Sequence, residues 1–320
     1  MLADQHRSIL RRHPRRLEAW RAWEHVFIDC LLWTSALAMV YSGLPAVLST
    51  LAAAVLFASF VFRAFGMMHE CVHYLGYSDR RVNDAMGEVY GIFCFLPFSS
   101  WRRLHLDHHK WTGNVERDPS MKILLDFERD GFTVSKIVAA SWSRWIPLFG
   151  FMQHVVFWKA RKSRKQYFFR IGSLAYLGGA AYVLGPVTLI LGIVIYLYLV
   201  EIINFPHHLE MVQWGGSSKF YIHDQHRFTR SCVYPRWLAH YVFLNFNLHT
   251  EHHLFPAHPW YQLDMLCEEL SSSGARFNRS RGNEWILRNR RRPVDEVFAE
   301  TFQRDSRLSN AAVTADISPR

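Results

Sequence analysis

The chain has 320 residues, of which 50% are hydrophobic and 15% aromatic, and its formal net charge is +10. This composition argues against an ordinary pair of soluble domains, because tryptophan and other aromatic residues are typical of a membrane interface. A mean hydropathy of −0.05 is too low for a protein made only of membrane spans. We therefore expect roughly half of the chain in lipid and half in a polar cap. Five scattered cysteines without a CxxC pair support neither a disulfide framework nor an iron–sulfur or zinc-ribbon site.

Basic residues are concentrated in three runs: Arg7–Arg21, Lys159–Arg170 and Arg276–Arg292. Nucleic-acid binding is the competing explanation for such runs. Each run adjoins an apolar or amphipathic stretch, however, as the cytoplasmic flanks of membrane spans do. We therefore predict no nucleic-acid partner, contact with anionic membrane lipids, and a basic cytosolic segment over residues 1–25.

Two pairs of apolar segments predict two helical hairpins. Each segment is close to the ~20 residues that a helix needs to cross a bilayer, and each pair is joined by a Gly/Pro turn. Both hairpins therefore return to one side of the membrane, and the basic flanks indicate that this side is cytoplasmic. The predicted spans are 26–42, 46–65, 168–184 and 186–205.

Two further apolar stretches are not expected to cross the membrane. Val89–Phe98 is too short, so an interfacial or re-entrant helix is predicted. Ile137–Trp158 is long enough but polar in places, and a crossing there would put the following basic run outside the cell; we predict that it lies in the interface. The membrane domain is predicted over 26–303, and the polar, Ser/Ala-rich tail 304–320 is predicted to be disordered.

Eight of the 18 histidines lie in three five-residue motifs, HECVH, HLDHH and HTEHH. Their i, i+3, i+4 spacing puts the imidazoles of a motif on one helical face. A lone HxxxH is more often surface or core decoration, but three motifs close to apolar segments favour metal binding. Eight nitrogen donors exceed what one ion accepts, so two metal ions are implied. The candidate ligands are His69, His73, His105, His108, His109, His249, His252 and His253.

The motifs, their order and their position after paired apolar segments resemble the membrane fatty acid desaturase superfamily, whose members are integral-membrane di-iron desaturases and hydroxylases. The resemblance rests on HECVH, on RLHLDHHKWTGNVERD at 103–118 and on NFNLHTEHHLFPAHPWYQL at 245–263, and it covers residues 26 to about 265. It implies an all-α membrane protein with four transmembrane helices in two hairpins. A cytosolic helical cap would hold two iron ions, with O2 as co-substrate.

Further site residues follow from the same resemblance. The sequence NFPHH at 204–208 resembles an element that supplies one more ligand, which implies His208 as the ninth imidazole and Asn204 as a weak or outer ligand. His207 is the alternative, and a capping role for the histidine pair stays open. Acidic residues in or near the motifs are candidates to accept the second ring N–H of a ligand, although solvated or capping roles are equally compatible. These residues are Glu70, Asp107, Asp118, Asp224 and Glu251.

The resemblance implies an O2-dependent oxidoreductase acting on a fatty acyl chain, most simply a desaturase that inserts a C=C bond. A hydroxylase, a carotenoid ketolase, a sphingolipid-type enzyme or a decarboxylase that forms a terminal alkene stay open, because the same kind of site serves them all. The substrate is expected to be a fatty acid, an acyl-lipid or an acyl-CoA. The sequence contains no haem HPGG motif, ferredoxin cysteine pattern or Gly-rich nucleotide fingerprint, so we expect no fused haem, flavin or iron–sulfur cluster. A separate ferredoxin or a cytochrome b5-like carrier with its reductase would supply electrons.

A histidine-rich membrane transporter or metal scaffold is the alternative from a different class. It predicts polar residues that line a path across the bilayer. The predicted spans hold few charged residues, chiefly Asp29, Arg63 and Glu201, which lie mostly near span ends, and the motif histidines lie outside the spans. We therefore favour an integral-membrane enzyme of the bacterial inner membrane, with its active site and both termini in the cytoplasm.

Overall fold

The structure is a computed structural model that describes residues 3–121, 163–211, 221–272 and 277–293, together with 145–147, 150–151, 154–155, 158 and 296–297. The stretch 137–158, predicted to be interfacial, lies mostly outside the described residues. The tail 304–320, predicted to be disordered, lies entirely outside them.

The first half of the described chain is helical. Its helices are α1 (Ala3–Arg12), α2 (Ala19–Val40), α3 (Ala46–Val72), α4 (Arg80–Phe93) and α5 (Phe98–Trp111). Asp79 is the N-cap of α4, since its carboxylate accepts hydrogen bonds from the backbone N–H groups of Arg81 and Val82 at 2.7 and 3.1 Å. The apolar stretch predicted as one interfacial helix is divided between α4 and α5. The second predicted span continues as helix to Val72, so the first histidine motif begins within α3.

The second half contains helices and one small sheet. The elements are α6 (Arg164–Leu184), α7 (Pro186–Asn204), β1 (Arg230–Val233), α8 (Arg236–Tyr241), α9 (His249–Leu254), α10 (Leu263–Ser272), β2 (Asn278–Arg281) and α11 (Glu284–Asn289), with 3-10 turns at Phe205–His207, Ile222–Arg227 and Trp260–Gln262. Gly185 separates α6 from α7 with φ +81, a conformation that favours glycine, and Pro186 opens α7.

Among the described residues, three helices are long and apolar enough to cross a membrane: α2, α3, and α7 with its 3-10 extension to His207. Helix α6 has 21 residues and is not among the three; its first two turns carry Arg164, Lys165 and Arg170. Helix α3 is the central element, since it packs against α2, α4 and α7. A Cβ at Gly192 would lie 2.7 Å from the Phe57 ring and 3.2 Å from the Ala54 carbonyl, so glycine permits the close approach of α7 to α3.

The charged residues of these helices are buried in pairs. Arg63 Nε lies 2.5 Å from Asp29 Oδ1, which joins α3 to α2, and the same guanidinium contacts the carbonyl of Tyr241 at the end of α8. Glu201 on α7 pairs with Arg290 beyond α11. The first pair joins two consecutive helices and the second joins α7 to a residue far along the chain; in both, pairing offsets the cost of burying the charges. These residues therefore hold helices together, and they do not form a line of polar groups such as a transporter path needs.

The described residues are mostly helical, which is consistent with the all-α prediction, and they also include a two-stranded parallel sheet. β1 pairs with β2 in a register that sets Arg230 opposite Asn278. Each strand has only four residues and lacks the alternation of apolar and polar residues that would predict a strand from the sequence. The sheet supports α9: the Cys232 N–H donates to the Asn247 carbonyl at 2.9 Å, and the Thr250 N–H donates to Ser231 Oγ at 3.0 Å.

Helix α1 packs against the same region from the other end of the chain. Ile9 is fully buried in a cluster with Leu254, Phe255 and Leu266. His6 Nε2 lies 2.8 Å from the Leu254 carbonyl, immediately after the third motif. Of the predicted N-terminal segment 1–25, residues 3–12 therefore form a helix that packs beside α9, and residues from Ala19 onward form the first turns of α2.

Candidate metal centre

Nine histidines from four parts of the fold converge in two groups. Helix α3 and the residues after it supply His69 and His73, α5 and α9 each supply three, and the turn after α7 supplies His208. In each group the nearest ligand atoms lie within 4.8 Å of one another. Group one is His69, His73, His105, His109 and His252, and group two is His108, His208, His249 and His253.

The two HxxHH motifs each serve both groups. On α5, the i, i+4 pair His105 and His109 belongs to group one, and His108 belongs to group two. Helix α9 does the reverse, since its i, i+4 pair His249 and His253 belongs to group two and His252 to group one. Residues four apart lie one above the other on a helix, and the residue between them points to the neighbouring side. The motif is therefore suited to bridge two adjacent ions.

The Nε2 atoms face inward at short range. In group one, His109 and His252 have Nε2 atoms 2.9 Å apart, as do His73 and His105. In group two, the corresponding distance is 2.8 Å between His208 and His249 and 3.0 Å between His108 and His208.

Hydrogen bonds at the opposite ring nitrogen show why these contacts fit a cation. His108 Nδ1 lies 2.9 Å from both carboxylate oxygens of Asp118, and His208 Nδ1 lies 2.9 Å from the Phe228 carbonyl. A carboxylate and a carbonyl only accept, so both Nδ1 atoms carry the proton and both Nε2 atoms present a lone pair. The two lone pairs face each other at 3.0 Å, where neither can donate to the other. A metal ion bound between them relieves that repulsion and uses both donors.

Burial favours the neutral form of six of these imidazoles. It lowers the pKa of His73 to about 3, with a further contribution from the Arg102 guanidinium. The same cause comes first for five other imidazoles, whose pKa values lie well below the ordinary range and are lowered further by neighbouring histidines: His105, His109, His249, His252 and His253. Neutral imidazole is the form that binds a metal ion, so the site is ready to accept one near neutral pH.

Two of the five acidic residues predicted to support the ligands lie beside a ligand ring. Asp118 holds His108, and Glu70 Oε1 lies 3.3 Å from His69 Nδ1. Glu251 is buried, but it accepts from Ser231 Oγ and lies 3.3 Å from the Arg279 guanidinium. Two others lie outside the centre. Asp107 is exposed on the outer face of α5, and Asp224 pairs with His223 at 3.6 Å.

The residues predicted from the NFPHH sequence also separate. His208 lies in group two. His207 is fully buried and lies in neither group; its ring stacks on His249 with centroids 4.0 Å apart and an interplanar angle of 12°. Asn204 is half-buried at the end of α7, and its predicted role as a weak or outer ligand stays a prediction.

Sequence reasoning missed Gln225, whose side chain touches both groups. Its Oε1 lies 2.9 Å from His253 Nδ1, and its Nε2 donates to the His109 carbonyl at 2.8 Å. The backbone carbonyl of Phe228 was missed as well. Gln225 lies in the sequence HDQH at 223–226, directly after the predicted residue Asp224, and no spacing rule distinguishes it from its polar neighbours. Aromatic rings cover the centre: Trp101 stacks on His105 at 4.6 Å, and Phe246 lies edge-on to His69 at 5.0 Å.

Comparison with known proteins agrees with this geometry. The family model described as fatty acid desaturase matches residues 42–281. An sn-1 oleoyl-lipid 12-desaturase of Arthrospira platensis is 24% identical over 224 residues, 62% of each chain, so the match spans less than two thirds of that relative. The protein of the same description from Synechocystis sp. is 25% identical over 70% of this chain and 69% of its own. An sn-1 acyl-lipid omega-3 desaturase (ferredoxin) of Nostoc sp. is 34% identical over 18% of this chain and 16% of its own.

Proposed function

The chain belongs to the fatty acid desaturase family, and we propose that it is an oxygen-dependent, di-iron membrane enzyme that introduces a C=C bond into a fatty acyl chain. The observation that carries this proposal is the convergence of nine buried or half-buried imidazoles into two adjacent groups. No single ion accepts nine nitrogen donors, and a pair of iron ions with nitrogen ligands is suited to the activation of O2.

Group one and group two would each hold one iron, through the Nε2 atoms that face inward. When bound, the iron pair supplies an oxidant strong enough to remove hydrogen from an unactivated methylene. The protein's own contribution is to hold the ligand rings in a fixed orientation. Asp118 and the Phe228 carbonyl orient His108 and His208 and fix their tautomers, as outer hydrogen-bond partners of metal ligands do.

The surroundings of the histidines would keep water from the reacting carbon. Trp101 and Phe246 are buried against His105 and His69. Phe65, one turn before His69, packs edge-on against both of these aromatic rings. This wall belongs to α3, α5 and the segment before α9, so an alkyl chain held along it would lie next to group one in an apolar environment.

The membrane arrangement that we propose has four spans in two hairpins, α2–α3 and α6–α7, within one desaturase domain over 26–303. Both α3 and α7 end beside the histidines, which supports an arrangement in which the two hairpins would open to the same side of the bilayer. The basic residues that begin α6 and surround α1 and α2 favour the cytoplasm for that side. The metal centre and both termini would then face the cytoplasm of a bacterial cell, and the inner membrane would hold the spans.

The substrate that we favour is an acyl chain on a membrane lipid, because the relatives at 24 and 25% identity are described as oleoyl-lipid desaturases. A free fatty acid or an acyl-CoA is the alternative. Electrons would come from a separate carrier, a ferredoxin or a cytochrome b5-like protein with its reductase. One relative's description names ferredoxin.

The test is expression in a host without desaturases, together with ferredoxin and its reductase, followed by mass spectrometry of the acyl chains. We expect a new double bond that is lost when O2 is withheld. A hydroxylated chain or a terminal alkene would instead favour the other reactions of this kind of site. Unchanged lipids with an iron-loaded, reduced enzyme would contradict the proposal.

A further inference from the structure

We propose that Gln225 is a positioning residue that clamps the two histidine groups together and fixes the tautomer of His253; this inference rests on the proposed di-iron function. Gln225 lies in the 3-10 turn Ile222–Arg227 and is 6% exposed. Its one amide group contacts a ligand residue of each group, His109 in group one and His253 in group two.

The orientation of the amide follows from its partners. The His109 backbone carbonyl only accepts, so the atom 2.8 Å from it must be the donor Nε2. The carbonyl Oε1 is then the atom 2.9 Å from His253 Nδ1. Because Oε1 only accepts, His253 must carry its proton on Nδ1. Its Nε2 is left with a lone pair that faces His249 and His108 at 3.0 and 3.3 Å.

A second neighbour of His253 requires the same tautomer. Thr112 Oγ1 lies 3.3 Å from His253 Nδ1 and donates its single hydrogen to the His108 carbonyl at 2.7 Å. The hydroxyl therefore faces His253 as an acceptor. Two independent acceptors at Nδ1 exclude the opposite tautomer, in which Nδ1 would carry a lone pair.

The turn that carries Gln225 is itself held against the metal centre. The Gln225 carbonyl accepts from Thr229 Oγ1 and from the Phe228 N–H, each at 3.0 Å. Phe228 lies over Gly113, where an added Cβ would come within 2.3 Å of the ring and where φ is +83. The Phe228 carbonyl holds His208. Residues 225–228 thus contact both groups from one short segment: the rings of His253 and His208 in group two, and the backbone of His109 in group one.

This placement explains why an amide is required. A leucine would leave the His253 N–H and the His109 carbonyl without the partners that Gln225 supplies. A glutamate would keep the acceptor for His253 but would set a second acceptor against the His109 carbonyl. The clamp therefore needs both a donor and an acceptor on one side chain. The spacing of the two groups then depends on Gln225, since the ring of His109 stacks on that of His253 at 4.2 Å.

The experiment compares Gln225→Leu and Gln225→Glu with Gln262→Leu as a control. Gln262 lies in another 3-10 turn and contacts the backbone of Arg16, away from both groups. Iron affinity is measured by chelator competition, and the ratio of product formed to O2 consumed is measured in turnover. We expect Gln225→Leu to lose about 10- to 100-fold in iron affinity, the range for outer partners of metal ligands. Gln225→Glu should recover iron affinity but not the product-to-oxygen ratio, and the control should match the wild type.

If Gln225→Leu kept the iron affinity and the product-to-oxygen ratio of the wild type, the proposed clamp would be overturned. Full recovery of the product-to-oxygen ratio in Gln225→Glu would also overturn it, because an acceptor alone would then suffice. Gln225→Glu keeps the size of the side chain, so it decides the matter if the leucine variant fails to fold. A wild-type protein that binds no iron and forms no product would instead contradict the proposed function, and the control variant would behave in the same way.

Discussion

The two histidine groups differ in how firmly their rings are held. In group two, three of the four imidazoles have an acceptor at Nδ1: Asp118 for His108, Phe228 O for His208 and Gln225 for His253. In group one, His69 is the ligand candidate with such a partner in the described part of the chain, and its contact with Glu70 is longer, at 3.3 Å. Group two is therefore pre-organised for its metal, whereas the rings of group one depend more on packing and on the metal itself.

Exposure follows the same division. All four residues of group two are buried, while His73 and His109 of group one are partly exposed. A rigid, enclosed ion and a more accessible ion are suited to different tasks. Under the proposed function, an ion in group two would maintain the geometry of the pair, and an ion in group one would leave room for an acyl chain and O2 beside Trp101.

Removal of one ligand from either group should have the largest effect. We expect His108→Ala and His252→Ala each to abolish double-bond formation, because each deletes a nitrogen donor from a different group. Membrane insertion should survive, since both residues lie outside the spans. The measurement is acyl-chain analysis with a fluorescence assay of membrane localisation. His223→Ala removes a histidine that lies in neither group and should retain activity. Turnover in either ligand variant would refute its assignment.

Substitution of a residue that holds a ligand ring should cost less activity than loss of a ligand, and the cost should differ between the two groups. Asp118→Asn keeps the size of the side chain but lets an amide face His108, so we expect about 10- to 100-fold loss of activity or metal affinity. Glu70→Gln should cost less, because its contact is longer and its other oxygen accepts from the Trp260 N–H at 3.0 Å. Iron content and initial rates of the two variants, compared side by side, give the ranking. An equal or larger loss in Glu70→Gln would contradict the difference in ring support.

The smallest expected effect is a difference between the two groups in the rate at which a chelator removes their metal. Metal removal by a chelator is expected in two phases of equal amplitude, with group one releasing its ion first because it is more exposed and less firmly held. In His252→Ala the fast phase should shrink, and in His108→Ala the slow phase should. Stopped-flow absorbance of the iron–chelator complex follows both. A single phase that carries both ions would mean that the groups bind metal as one unit.

Local patterns predicted much of this molecule. The apolar segments that predict spans correspond to α2, α3, α6 and α7, and the eight motif histidines do converge in space. Spacing within a helix sets which side chains share a face, so this information is present in the sequence. The prediction ended the second span at residue 65 because polar residues follow. Those residues are buried in the cap rather than exposed, so the helix continues to Val72.

What the sequence could not show depends on contacts between distant segments. The parallel pairing of β1 and β2, the packing of α1 on α9 and the amide of Gln225 each join residues far apart in the chain. Glu251 illustrates the same limit. It lies inside a motif, as a partner of a ligand should, yet its carboxylate contacts Ser231 of β1 and Arg279 of β2 instead of a ligand ring. The ligand roles of the nine histidines stay a prediction until metal is measured.

Iron stoichiometry, combined with X-ray absorption of the purified, active protein, is the most direct measurement. The account predicts two iron ions per chain, each in a nitrogen-rich environment, with a second iron in the outer shell of the absorption spectrum. One iron per chain, or a sulfur-rich environment, would contradict it.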